Sequence, residues 1–109
     1  MGLESHPFQE KRVDERIPVF HRTRATGPDG QALSLVIVDL SANGLMARCD
    51  AQLAPGEWLQ IMLPLIGTCR ARLRWSLGGR IGCEFDQPIG PEQYGELLAM
   101  LVSQAEVMR

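Results

Sequence analysis

Lysine occurs once in these 109 residues, at Lys11, and together with ten arginines it is outnumbered by 13 acids, for a formal charge of −2. With a pI near 5.6, the chain has no general basic excess of the kind that sequence-independent nucleic-acid binding requires. Aromatic residues amount to 6%, and they are not interleaved with the cations as on a single-strand stacking platform. Cysteine is sparse too. Cys49, Cys69 and Cys83 are odd in number and have no CxxC or Cys/His ligand spacing, which argues against a disulfide framework and against a zinc site. Each lies in an apolar or alternating stretch, where a free cysteine acts as a small buried hydrophobe in a reducing cytoplasm. Long apolar runs are missing as well: WLQIMLPLIG is broken by Gln60 and Pro64 and is too short to span a bilayer. The opening MGLESHPFQEKRVDER has no apolar core of signal-peptide type. A soluble, cytoplasmic protein without a membrane segment is expected.

Catalytic groupings are equally thin. His6 and His21 have no partner at ligand or triad spacing, Ser41 does not sit in a nucleophile elbow, and no carboxylates are paired for acid–base work. No catalytic residue and no metal ligand is expected, so the chain reads as a binding protein.

What is present is a regular succession of short strands. IPVFHRTRAT, LSLVIVDL, LMARCD, WLQIMLP, TCRARLRWS and RIGCEF alternate or are β-branched, with GPDG, SANG, APGE and LGG between them as turn signals. In TCRARLRWS the alternation puts Cys69, Ala71, Leu73 and Trp75 on one face, a core position for the tryptophan, and Arg70, Arg72 and Arg74 on a solvated face. The period then changes. Tyr94, Leu97, Leu98, Leu101, Val102, Ala105 and Met108 follow helical spacing, and Gly90-Pro91 supplies a helix entry. Residues 1–10 read as a flexible N-terminal arm and residues 11–109 as one domain: a small antiparallel barrel with an amphipathic helix against its side or mouth.

Two short segments carry the candidate chemistry. Arg12 and Arg16 stand four apart in KRVDERI, a spacing that puts both side chains on one side of a helix or a strand. Asp39, Ser41 and Gly44 stand in DLSANG. Asn-Gly between apolar runs is also the strongest short-range hairpin signal, since both central residues of such a turn take positive φ. DLSANG is therefore either a plain turn or half of a ligand site.

The ordered pair of segments resembles the PilZ domain family of bacterial cyclic di-GMP receptors, whose signature is RxxxR before the first strand and (D/N)xSxxG after the second. LRWSLGGRIGCEF is similar to that family's closing hairpin, and the helix follows where the family has one, so the likeness spans roughly residues 10 to 103. The resemblance implies a mainly β fold, a six-stranded antiparallel PilZ-type barrel with a C-terminal amphipathic helix, and cyclic di-GMP bound on the barrel surface. It assigns Arg12 and Arg16 to phosphate oxygens and the guanine O6/N7 edge, which the planar guanidinium fork matches. It assigns Asp39 to the guanine N1–H and N2–H donors, Ser41 to a base or phosphate, and Gly44 to a place where base and backbone approach. Lys11 stands where several members carry an extra cation, and Trp75 where some stack an aromatic ring on guanine.

The resulting expectation is a receptor that closes its RxxxR arm on the nucleotide and signals through a downstream protein the sequence does not identify. The other reading is an adaptor on the same fold that binds no nucleotide; intact motif halves favour the receptor. A flavin-binding or nucleic-acid-binding barrel fits the strand pattern less well.

Overall fold

A computed structural model describes the chain over residues 15–107, with side chains through residue 102. Six strands follow in order: β1 (Ile17–Thr26), β2 (Ala32–Leu40), β3 (Gly44–Arg48), β4 (Trp58–Leu63), β5 (Gly67–Leu77) and β6 (Arg80–Phe85). Among the described residues one helix, α1 (Pro91–Val107), follows the strands. The strands pair in the order β1-β2-β3-β6-β5-β4 and close into an antiparallel barrel through β1 and β4. The expected six-stranded barrel with a C-terminal helix is the observed architecture.

Closure removes the free sheet edges that would otherwise template aggregation. It also makes one enclosed core. Leu35, Ile37, Leu45, Leu59, Ile61, Leu73 and Ile81 point inward and are at most 1% exposed. Burying each such side chain stabilises the fold by about 1.5–3 kcal/mol before entropy is counted. Cys49 and Cys83 belong to this core and Cys69 packs against it, as small hydrophobes.

The helix starts at Pro91, whose missing N–H falls where no helical bond is needed, and the Tyr94 amide donates to the Gly90 carbonyl at 2.8 Å. It packs on β1 and contributes Leu97 and Leu101 to the core, both 0% exposed. Its Tyr94 hydroxyl donates to the Leu40 carbonyl at 3.2 Å, which ties the helix to the end of β2.

One turn differs from what its composition suggests. The tight hairpin with positive φ at both central residues is Gly78-Gly79, at 63° and 79°. Asn43 and Gly44 have no positive φ, so the loop from β2 to β3 is not closed by left-handed backbone.

Candidate functional site

The alternation of β2 would send Asp39 inward with Leu33, Leu35 and Ile37. A register shift against β3 intervenes: Ile37 pairs with Ala47, but Asp39 pairs with Met46. Val38 is thus the extra residue of a β-bulge, which reverses the parity of the residues after it. Leu40 turns into the core at 0% exposure, and the Asp39 carboxylate turns outward.

Across the β1–β2 ladder Asp39 stands opposite Pro18, and Arg16 lies two residues before Pro18, on the same outer side. The Arg16 guanidinium donates to Asp39 Oδ1 at 3.0 Å, with the arginine side chain half exposed and the carboxylate 15% exposed. The two sequence segments therefore meet. Residues 23 apart in the chain form one charged pair.

Ser41 is 3% exposed. Its Oγ accepts from the amides of Asn43 and Gly44, each at 3.2 Å, and the Ser41 amide donates to the Gly44 carbonyl at 2.9 Å. The serine closes the loop as a side-chain turn. The loop is further stitched to the end of β6 and to the segment after it: the Phe85 amide donates to the Asn43 carbonyl at 2.8 Å and the Ile89 amide to the Ala42 carbonyl at 2.9 Å.

Gly44 lies in β3 opposite Glu84, and a Cβ there would run into the Cys83 backbone carbonyl. Glycine is needed at this position because two strands approach closely, not because the turn needs left-handed φ.

The expectation for Trp75 as a core residue is overturned. Leu73 pairs with Cys83, but Trp75 pairs with Gly82, so Arg74 is the extra residue of a second bulge. Parity reverses again, and Trp75 emerges on the outer face, 39% exposed. Its indole rests on Gly82, where any Cβ would collide with ring atoms. Strict alternation, read along one strand, cannot register a residue that its partner strand leaves unpaired.

These residues surround a cavity of about 270 Å³ lined by Arg16, Ser41, Gly44, Trp75 and Gly82, with Arg74 and Glu84 at its side. Arg74 lies 3.6 Å from Glu84. Alternation alone puts Arg74 on a solvated stripe and gives no reason to single out Gly82 or Glu84; only the ladder sets them beside DLSANG. The rest of that stripe is occupied elsewhere: Arg70 stacks 3.8 Å from the Trp58 ring and lies 3.6 Å from Asp86. Lys11 and Arg12 lie outside the described residues. Among the described residues no cluster of three or more His, Cys, Asp or Glu is arranged to hold a metal ion, and no helix is long and apolar enough to cross a membrane.

The PilZ domain family model matches residues 9–103. The chain belongs to the PilZ family. Members of this family are receptor domains, generally for cyclic di-GMP, rather than enzymes. Among solved structures the PilZ domain of CeSA from a cellulose-synthesizing bacterium is similar over 84% of this chain and 98% of its own, with a TM-score of 0.59 and 20% identity. At that identity the likeness establishes the shared PilZ fold. No curated protein matches the chain.

Proposed function

We propose that this PilZ domain is a cyclic di-GMP receptor that binds the nucleotide at the Arg16–Asp39 pair and passes the signal to a separate protein. The observation that carries the reading is the 3.0 Å contact between Arg16 and Asp39, which joins the two segments beside a cavity that Arg16, Ser41 and Gly44 line.

The chemistry on that surface suits the ligand. Arg16 keeps N–H donors for a phosphate or for the guanine O6/N7 edge. Asp39 keeps an oxygen for the guanine N1–H and N2–H donors. Trp75 presents a ring face to a guanine, an interaction worth about 1–3 kcal/mol per base. Ser41 and Gly44 act by shaping the loop that holds Asp39. Arg12 and Lys11 add cations from the segment before β1, which closes over the nucleotide, and a partner reads the closed form.

Isothermal titration with cyclic di-GMP tests the reading, with Asp39→Ala beside the wild type. Saturable binding that weakens in the variant supports it, and the molar ratio separates one bound nucleotide from an intercalated pair. A wild type that neither binds nor gains melting temperature overturns it in favour of a nucleotide-independent adaptor.

A further inference from the structure

A second concavity, about 560 Å³, opens on the outer face of β1, β2 and β3, at the ends of the strands away from DLSANG. It shares no lining residue with the cavity beside Trp75. Arg22 and Arg48 flank it from either side, both opposite Val36, and Arg24 stands opposite Ser34. Strand spacing puts the Cα atoms of Arg22 and Arg48 roughly 10 Å apart and those of Arg22 and Arg24 about 7 Å apart. All three arginines line the concavity together with the short Ser34.

Three like charges at this distance repel unless something anionic stands among them. On β5 that need is largely met within the chain: Arg70 has Asp86 and Arg74 has Glu84, each at 3.6 Å, and Arg72 lies 5.8 Å from the Trp58 ring. No such carboxylate serves Arg22, Arg24 or Arg48 among the described residues, and the Phe20 ring 5.7 Å from Arg22 carries no charge. Asp50 lines the same concavity without forming an ion pair to any of them, and one negative charge faces three positive ones.

We infer that this concavity is an anion site for a small phosphate ester, with Arg22, Arg24 and Arg48 around the phosphate and Asp50 accepting from a hydroxyl or amino group of the same molecule. The fork geometry of arginine suits phosphate oxygens. A lone acceptor opposite three cations suits a ligand with a donor at its other end better than a bare polyanion. The volume lies within the range of small-molecule sites.

The test is an NMR titration of isotopically labelled protein with ribose 5-phosphate, compared with potassium chloride at matched ionic strength. The expected result is saturable shifts of the Ser34 and Val36 amides and of the Arg22, Arg24 and Arg48 guanidinium signals. Arg24→Gln with Arg48→Gln weakens binding about tenfold or more, through lost charge-assisted hydrogen bonds. Arg70→Gln with Arg72→Gln, and separately Asp39→Asn, leave it unchanged. All three inferred ligand arginines are exposed on the outer face, so their replacement spares the core. Shifts that never saturate, that match those from potassium chloride, or that fall equally on the β5 arginines overturn the inference. The wild-type titration decides this whether or not cyclic di-GMP binds at Asp39.

Discussion

The indole of Trp75 rests so closely on Gly82 that residue 82 has no room for a Cβ. The contact exists because the bulge at Arg74 brings Trp75 opposite Gly82 across the β5–β6 ladder, so a bare backbone supports one face of the ring while part of the ring remains in solvent.

Gly82→Ala is expected to push the indole off its support with little loss of fold, since Trp75 lies outside the core and can swing into solvent. The ring would then no longer be held for stacking, and cyclic di-GMP affinity should fall about tenfold, within the range for one base–aromatic stack. Trp75 fluorescence in a Trp58→Phe background reports the displacement. An unchanged emission and affinity would show that the platform has no role.

Gly44→Ala behaves differently, because its obstacle is backbone. The new methyl meets the Cys83 carbonyl within the β3–β6 ladder, and neither strand can yield without losing pairing. A loss of about 1–3 kcal/mol is expected for overpacking of this kind, read from the urea midpoint. Ser41→Ala strips an acceptor from two amides and should cost about 1–3 kcal/mol by leaving buried donors unsatisfied.

The Arg16–Asp39 pair separates stability from binding. With the Arg16 side chain half exposed, the pair should contribute only about 0–1 kcal/mol to folding. Arg16→Ala should therefore leave the melting temperature nearly unchanged while weakening cyclic di-GMP binding by a few kcal/mol, through loss of a directed charged contact. A large drop in melting temperature would instead make Arg16 a structural residue.

Burial pushes the Cys83 thiol up to about 12 from its ordinary 9.0, with the neighbouring Cys49 adding to the rise. Because the folded thiol holds its proton more tightly than the unfolded one, this stabilisation is complete below pH 9 and is lost as the pH climbs toward 12. Tyr94 is raised by burial and then by Glu15, so it contributes with the same sign. The urea midpoint should fall from about pH 9 to about pH 11, and Cys83→Ala should flatten part of that fall. At about pH 8, below the ordinary thiol range, iodoacetamide should leave Cys49 and Cys83 unlabelled in the native protein and reach them only in urea, as mass spectrometry would show.

Much of this protein was determined by local pattern. Alternation or β-branched composition between turn signals marks the six strands, the change to a spacing of three and four marks α1, and the motif residues of KRVDERI and DLSANG stand out as a pair. Local sterics and the side-chain period are properties of a single segment, so a single segment reveals them. Three things were decided by the tertiary structure alone. The bulges at Val38 and Arg74 turn Asp39 and Trp75 outward against the parity of their own strands, because a bulge is defined by what the partner strand leaves unpaired. Gly44 looks like a turn residue, but its reason lies 39 residues further on at the Cys83 carbonyl. The ring order β1-β2-β3-β6-β5-β4 assembles the cavity from four separate stretches of chain, and it forms only when the long-range pairing of β3 with β6 sets DLSANG beside the β5–β6 hairpin.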